Sequence, residues 1–265
     1  MDTKTEELLY GKKKKLTLPS GYTVTIREQN GADDDIISNQ VYAEDLTNID
    51  IFLATLVIET NLPFAKGKRL NKDNIKNMLL KDKYFILFAS RVHSMGEDVR
   101  FTFDWGEDNG GKAEYTEDLT IFIWDYSKPM PEEGDENYQE ERITPYVDNP
   151  YDKVEITLNS SGKKLRFDKL NGFSEKYLLG VKNITRNDIY KSRNLEQWVE
   201  DKWQKVANFM YFNKREMAEL HKVVTAIDPE FTGTTHLVNP YPKAQVKEMD
   251  YPIMRAESFF YPEEI

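Results

Sequence analysis

Strict alternation of apolar and polar residues near the N-terminus is the feature that most constrains the fold. The apolar positions are Leu16, Leu18, Val24 and Ile26, and threonines occupy positions between them. A side-chain period of two is typical of a strand with one buried face. Pro19-Ser20-Gly21 separates the two runs and consists of residues that favour turns. The segment therefore predicts a β-hairpin.

Three consecutive aspartates, Asp33 to Asp35, follow this hairpin. Asn30 and Asp33 are residue types that cap helix N-termini, and carboxylates are favoured at the positive end of the helix dipole. The triplet therefore predicts the start of a helix that continues through Ile36 and Ile37. A metal site made of these aspartates is the alternative, which is disfavoured because adjacent side chains point in different directions.

Further helices are predicted in the first half of the chain. Asn48 precedes the apolar run IDIFLATLVIET (49–60), which predicts a buried helix. Asn71 is a candidate cap for a short helical stretch. Asp82 then begins a longer helix that ends at Gly96, a residue suited to a C-cap. Arg91 lies in its last turn, where the helix dipole favours a cation.

A second hairpin is predicted from DVRFTFDWG (98–106) and DLTIFIWDY (118–126), with a turn at Asn109-Gly110-Gly111 between them. Residues 128–150 contain four prolines and many acids, and this composition predicts a long connecting loop. At the other end, residues 1–15 predict a flexible basic arm. Its lysines, Lys12 to Lys15, suit a solvated flank, protection of a strand edge, or contact with phosphate.

The second half of the chain repeats the pattern of the first. Residues 152–180 again give strand, Ser-Ser-Gly turn, strand and helix start, as residues 15–36 do. An internal duplication and independent hairpins both remain open. Residues 186–212 predict a helix, because apolar residues are compatible with one stripe: Trp198, Trp203, Val206 and Phe209. A helix restarts at Asn213 or Lys214, and residues 229–265 predict a short β element.

These elements predict an α+β fold in which β-hairpins combine with helical clusters. Two lobes are expected, an N-terminal lobe over residues 16–127 and a C-terminal lobe over residues 151–265 that ends in an aromatic tail. The acidic, proline-rich segment 128–150 joins them.

Composition narrows the function. The net charge of −10 disfavours a general nucleic-acid binder, because the phosphate backbone attracts the opposite charge. The absence of cysteine excludes disulfides and zinc held by thiolates. The longest apolar run is far shorter than the roughly 20 residues that a membrane span needs, so no membrane association is expected. The N-terminal residues show no secretory signal.

Patterns typical of catalytic or metal sites do not occur in the sequence. The histidines, His93, His221 and His236, are not at ligand spacing. Neither a glycine-rich phosphate loop nor a nucleophile elbow is present. Residues 104–114 loosely resemble a calcium loop, but the glycines stand at the wrong positions, which favours a solvated hairpin tip. The sequence therefore predicts no enzymatic activity, no cofactor and no metal.

Three short segments are similar to a known family. LPSGYTVTIREQNGADDD (18–35), DKYFILFASRVHSMGED (82–98) and SFFYPEEI (258–265) resemble the baseplate hub assembly family of contractile-tailed bacteriophages and its tail-assembly-chaperone relatives. Arg91, Ser94 and Gly96 match the R-x-x-S-x-G pattern of that family. Its members often carry paired cysteines after this pattern and near the C-terminus, which suggests zinc. The present chain has no cysteine, so the resemblance implies metal-free hairpins here.

The resemblance implies a non-enzymatic protein that acts in virion assembly through contacts with other tail or baseplate proteins. Such a protein is a transient assembly factor or chaperone in the host cytoplasm, or a component of the virion. The sequence does not distinguish these roles, and it does not set the oligomeric state.

Two structural hypotheses accompany this prediction. The aromatic tail, Phe259, Phe260, Tyr261 and Pro262, docks into a partner, or alternatively packs into its own domain. Arg91 has a structural role and pairs with Asp82 or Asp104. Two other classes of function remain as alternatives: a hydrolase that uses carboxylates, and a DNA-contacting virion protein that uses Lys12 to Lys15.

Overall fold

The structure, a computed structural model, describes residues 11–140, 142–146, 149–228 and 233–261. The strands are β1 Lys13–Thr17, β2 Thr23–Arg27, β3 Val57–Thr60, β4 Asp98–Asp104, β5 Lys112–Asp118, β6 Val154–Thr157, β7 Lys164–Phe167, β8 Glu196–Val199, β9 Lys202–Lys205, β10 Thr234–Val238 and β11 Glu248–Pro252. The α-helices are α1 Gly31–Ile37, α2 Gln40–Glu44, α3 Asn48–Leu56, α4 Leu80–Met95, α5 Gly172–Leu179, α6 Arg186–Ser192, α7 Lys214–Ile227 and α8 Glu257–Phe260. Short 3₁₀ turns span Ile75–Asn77, Glu107–Asn109, Leu119–Phe122 and Ile253–Arg255. Helices and antiparallel sheets together confirm the predicted α+β class.

The first core lies between a three-stranded antiparallel sheet, in the order β1-β2-β3, and helices α3 and α4. The predicted N-terminal hairpin is confirmed, with Leu16 paired with Val24. The helix start at the aspartates is also confirmed. The Asn30 side chain accepts from the Ala32 N–H, and the Asp33 carboxylate accepts from the Asn30 N–H at 2.8 Å. These two bonds satisfy backbone donors that a helix N-terminus leaves free.

The apolar run at 49–60 divides into two elements, so the single predicted helix is wrong. Helix α3 ends at Leu56, and Val57–Thr60 forms β3 along the edge of β2. Valine, isoleucine and threonine at this end favour an extended backbone when a neighbouring strand offers hydrogen bonds. The neighbouring strand is about 30 residues away in sequence, so the local pattern does not show it.

The second core lies on the other side of α4 and contains the hairpins β4-β5 and β10-β11. Phe88 on α4 stacks on Phe122 with ring centroids 4.7 Å apart. In the β4-β5 hairpin, the second strand differs from the prediction. Lys112–Asp118 forms β5, and the apolar run after it begins as a 3₁₀ turn that buries Leu119 and Phe122.

The third core is built from the sheet β6-β7-β8-β9 with α6 and α7. Helix α7 is confirmed, and Asn213 caps it. The predicted helix over residues 186–212 is wrong beyond Ser192, because strands β8 and β9 form a hairpin there. Trp198 and Trp203 are directly opposite each other in this hairpin, with ring centroids 5.2 Å apart. The tryptophans therefore form a cross-strand pair instead of a helical stripe.

The distribution of cores differs from the two predicted lobes. Residues 149–228, here called the inserted unit, contain the third core, whereas residues 234–261 return to the second core beside α4. The connection is also partly packed, since Ile143 is buried in the first core and its carbonyl accepts a hydrogen bond from the Tyr126 hydroxyl. Apolar residues among the acids of this segment allow it to pack.

The N-terminal boundary also differs from the prediction. Strand β1 begins at Lys13, so three of the four lysines belong to the sheet and not to an arm. Residues 1–10 lie outside the described residues. Among the helices that the structure describes, none is long and apolar enough to span a membrane.

Candidate functional site

The inserted unit packs against the N-terminal end of α4 and creates a junction of buried charges. The Leu80 N–H donates to the Leu170 carbonyl, and the Gly172 N–H donates to the Met78 carbonyl, both at 3.0 Å. A Cβ at Gly172 would lie 2.9 Å from the Lys76 Cα, so this close approach requires glycine.

Three consecutive charged residues of α4 are buried at this junction. The exposed fractions of Lys81, Asp82 and Lys83 are 6%, 0% and 3%. Charged residues are almost never fully buried unless each has a partner. Their partners therefore decide whether the junction is structural or reactive.

Asp82 accepts two hydrogen bonds. Its Oδ1 accepts from the Ser20 N–H at 3.1 Å, and its Oδ2 accepts from the Tyr151 hydroxyl at 3.2 Å. Burial raises the pKa of Asp82 to about 7, and the two hydrogen bonds and the charge of Lys81 oppose that rise only in part. Ser20 belongs to the β1-β2 turn and Tyr151 to the inserted unit, so Asp82 connects the two.

Lys83 forms a buried ion-pair network with two carboxylates. Its Nζ lies 2.7 Å from Asp50 Oδ1 on α3 and also contacts Glu175 on α5. Burial lowers the pKa of Lys83, but the charges of Glu175 and Asp50 outweigh burial and raise it overall. The ammonium group therefore stays charged and links the first core to the inserted unit.

Lys81 has neutral partners at the same junction. Its Nζ donates to the Thr144 carbonyl at 3.1 Å and lies 4.8 Å from the centre of the Tyr146 ring. Burial lowers the pKa of Lys81, and the charges of Asp228 and Asp82 oppose this. Asp228 itself pairs with Arg193 at 2.5 Å. The charges at this junction thus have partners within the fold, which indicates a structural role.

A cleft of about 450 Å³ opens next to the junction. Its lining is aromatic and polar: Pro63, Phe64, Asn77, Tyr151, Asp168, Asn171, Phe173 and Asn194. Among these residues Asp168 is the one acid, and its Oδ2 accepts from the Asn194 side chain at 2.9 Å. A carboxylate-based hydrolase needs a pair of acids across the cleft. The described lining does not supply such a pair.

Arg91 has partners that differ from the predicted ones. Its guanidinium donates to the Gly96 carbonyl at 2.8 Å and to the Asp98 carbonyl at 3.1 Å, instead of pairing with Asp82 or Asp104. The reason is geometric, because Asp82 lies nine residues earlier on the same helix, about 13 Å along its axis. The turn after α4 places the two carbonyls within reach of Arg91.

The other residues of the R-x-x-S-x-G pattern are also structural. The Ser94 hydroxyl accepts from the Gln29 N–H at 2.9 Å and so connects the end of α4 to the end of β2. Gly96 ends the helix with a φ of 91°, a conformation that favours glycine. The pattern thus fixes how α4 ends and how the chain enters β4.

The aromatic tail divides between buried and exposed positions. Phe259 is buried in the second core, where its ring centroid lies 5.6 Å from that of Phe88. Phe260 packs edge-on against Phe259, and Tyr261 is exposed. Pro262 lies outside the described residues. This burial of Phe259 matches the intramolecular alternative, and partner docking of the tail stays a prediction.

The histidines are placed apart from one another. His93 contacts the Lys12 carbonyl, whereas His236 lies between Asp250 and Glu248 on the outer face of β10-β11. Hydrogen bonds that the His236 ring donates to the carboxylates of Asp250 and Glu248 raise the pKa of His236. Over the described ranges, no group of three or more histidine, aspartate or glutamate side chains is arranged to hold a metal ion.

An exposed apolar surface on the inserted unit is a feature that the sequence did not predict. Helix α5 presents Phe173 and Tyr177 on one face, and Leu179 at its C-terminal end and Ile184 in the loop after it are also exposed. The exposed fractions of Phe173, Leu179 and Ile184 are 49%, 61% and 55%. Lys176 Nζ donates to the Asp45 carbonyl at 3.1 Å, which places the exposed Leu46 near this helix. We call these residues, together with Leu46, the α5 surface.

Comparison with known proteins found no match among protein-family models, curated proteins or solved structures.

Proposed function

We propose that this chain is a non-enzymatic bacteriophage tail or baseplate protein that acts in virion assembly through contacts with other tail proteins. The resemblance of residues 18–35, 82–98 and 258–265 to baseplate hub assembly proteins supports the biological setting. The exposed apolar residues of the α5 surface are the main support for action through protein–protein contacts. The protein acts either as an assembly factor that leaves or as a structural component that stays in the virion.

The α5 surface has the composition of a protein-binding surface. Solitary exposed apolar side chains are normal on proteins, but a group that includes two aromatic rings often marks an interaction site. Phe173 and Tyr177 are large side chains that lose little conformational entropy on binding. Three basic residues lie close to the group in sequence: Lys176, Lys182 and Arg186. A partner with an apolar centre and acidic margins fits this arrangement.

Charge is distributed unevenly along the chain and supports contact with proteins. The inserted unit contains 15 lysines and arginines and 11 aspartates and glutamates, a net charge of +4. The rest of the chain contains 21 lysines and arginines and 35 aspartates and glutamates, a net charge of −14. Such asymmetry orients an approaching partner and suppresses encounters in other orientations.

The two alternatives have weaker support. A hydrolase would use acids with raised pKa in an accessible cleft, and in the described chain the carboxyl with a raised pKa, Asp82, has no exposed surface. A DNA-contacting protein would use Lys12 to Lys15. Lys13 to Lys15 lie in β1 and Lys12 precedes it, and these four lysines offer few phosphate contacts on a chain whose net charge of −10 repels DNA.

Quantitative mass spectrometry of virions and of tail-assembly intermediates, both purified from the infected host, tests this proposal. We expect the chain in at least one of the two, at a fixed ratio to a tail protein. Presence in virions indicates a component, and presence only in intermediates indicates an assembly factor. Absence from both, with the protein present in the infected cell, would contradict the proposal.

A further inference from the structure

A second surface feature, with lining residues different from those of the α5 surface, is a cleft along strand β1. The cleft has a volume of about 540 Å³. On one side it is lined by four consecutive residues, Lys14 to Thr17. Successive side chains of a strand point to opposite faces of the sheet. A cleft that touches four residues in a row therefore runs along the edge of the strand and not over one face.

Part of the backbone along this edge, at Lys15 and Thr17, is available for hydrogen bonding. Strand β1 is the outer strand of its sheet, with β2 on one side. The Leu18 N–H donates to the Tyr22 carbonyl, and the Glu28 N–H donates to the Lys12 carbonyl. In an antiparallel pair hydrogen-bonded residues alternate, so the even-numbered residues of β1 face β2.

The backbone groups of Lys15 and Thr17 therefore point away from β2. Within the described part of the chain, no residue hydrogen-bonds to these outward groups. An unpaired edge of this kind is a template for a further strand.

The opposite wall of the cleft is apolar. Two of its residues, Phe85 and Ala89, lie one turn apart on α4. The other two, Ile123 and Trp124, directly follow the 3₁₀ turn Leu119–Phe122 that comes after β5. Every second side chain of a strand added to β1 would point to the same face. Phe85 and Ala89 are themselves buried, so an apolar side chain on the face toward this wall would bury its surface against the half-buried Ile123 and Trp124.

The positive charge of β1 favours an acidic segment as the added strand. Strand β1 carries three consecutive lysines, Lys13 to Lys15, and Lys12 precedes them. Lysines on an edge strand discourage pairing with another apolar or basic strand. They attract a strand whose outward side chains are carboxylates. The acid in the cleft, Asp125, accepts from the Ser127 hydroxyl at 2.6 Å and lies beside Lys128, so its charge is partly compensated.

We propose that the edge of β1 is a docking site for an extended acidic and apolar segment of another polypeptide, which adds a strand to the sheet. Alternate apolar side chains of that segment enter the cleft between β1 and α4, and its carboxylates lie beside Lys13 and Lys15, which share the opposite face of the sheet. This docking site is distinct from the α5 surface and would bind a partner independently of it.

Fluorescence anisotropy with a short labelled peptide of alternating glutamate and valine tests this proposal on the full chain. We expect saturable binding that weakens with added salt, because the lysines contribute. A matched peptide with N-methyl groups on the amides that would pair with β1 should bind about tenfold more weakly, since each lost hydrogen bond costs on the order of 1 kcal/mol. Replacing its glutamates by lysines should also abolish most of the binding.

Protein variants locate the site. Lys15→Glu should weaken binding of the glutamate peptide several-fold and strengthen binding of the lysine peptide. Lys202→Glu reverses the charge of an exposed lysine on β9, the outer strand of another sheet. This control should leave the affinities for the glutamate peptide and the lysine peptide unchanged. A thermal melt shows that each variant is folded.

Three outcomes would overturn the proposal. They are the absence of binding, equal binding of the N-methylated peptide, and equal effects of Lys15→Glu and Lys202→Glu. If sedimentation shows that the parent protein is a dimer and that the Lys15→Glu variant is a monomer, the edge binds a second copy of this chain instead. None of these outcomes bears on the presence of the chain in virions or intermediates, which tests the proposed function.

Discussion

Replacing Lys83 by methionine should lower the free energy of unfolding by about 3–5 kcal/mol. Methionine has a similar volume but no charge, so it leaves the Asp50 carboxylate buried without its cation. The side chain of Asp50 is buried, so water does not replace the lost partner. The cost is the desolvation of an uncompensated charge and not the loss of one attractive contact.

Urea denaturation at neutral pH measures this effect. Lys68→Met is the matched control, because Lys68 pairs with Glu59 at 3.2 Å and both side chains are exposed. An exposed pair contributes about 0–1 kcal/mol, so the control should stay close to the parent protein. The double variant Lys83→Met/Asp50→Leu should recover most of the loss, because it removes both buried charges. A loss below about 1 kcal/mol in Lys83→Met would refute the structural role of this network.

The Asp82→Asn variant should lose a pH dependence that the parent protein has. Burial raises the pKa of Asp82 to about 7, above the value of 3.8 for an unperturbed aspartate. Below that lower value the carboxyl is protonated in both the folded and the unfolded chain. As the pH rises to about 7, the unfolded chain releases this proton while the folded chain keeps it. The raised pKa therefore stabilises the fold at low pH, and this contribution is lost through the interval up to about pH 7.

The size of the effect follows from the difference between the two pKa values, which gives an upper limit of about 4 kcal/mol. Asparagine has nearly the same shape as a protonated aspartate and keeps one oxygen acceptor for the Ser20 N–H. The Tyr151 hydroxyl can rotate and accept from the amide. The variant should therefore fold, and it should be more stable than the parent protein above pH 7.

Unfolding free energies measured from pH 4 to pH 8 provide the test. Subtracting the variant from the parent removes contributions of other titrating groups. Asp35→Asn, at an exposed position of α1, is the control. The difference in unfolding free energy between this variant and the parent should not follow the pH dependence expected for Asp82→Asn. If the difference between Asp82→Asn and the parent does not change with pH, Asp82 does not titrate in the interval that its burial implies.

Local chemistry explains which elements the sequence predicted correctly. Asn30 and Asn213 cap helices α1 and α7, and each cap is completed by an acid three residues later, Asp33 and Glu216. These signals depend on neighbours within one turn, so they are visible in the sequence. The same holds for the hairpin around Pro19-Ser20-Gly21.

The β8-β9 hairpin shows why other elements were missed. Its two-residue turn is Glu200-Asp201, with φ values of 49° and 58°. Turns of this type usually contain asparagine or glycine, which adopt positive φ at low cost. Without that signal, the apolar residues around the turn matched a helical spacing. Pairing of β8 with β7 stabilises the hairpin and is invisible in the local pattern.

The candidate surfaces depend on tertiary contacts and could not be read from the sequence. Asp82 was predicted to begin a helix, and it does lie in the first turn of α4. Its burial arises because the inserted unit packs over that turn, with Tyr151, which bonds to Asp82, 69 residues later in the chain. Phe173 and Tyr177 have a spacing that equally suits a buried face, so only the fold shows that they are exposed.

Site-specific photo-crosslinking in the infected host tests the central claim, that this protein acts through the α5 surface on other tail proteins. Photoreactive benzoylphenylalanine replaces Phe173 in one variant and Tyr138, an exposed aromatic residue in the acidic connection, in the control. We predict that position 173 crosslinks to one defined tail or baseplate protein and that position 138 does not. No crosslink from position 173, or the same products from both positions, would contradict the claim.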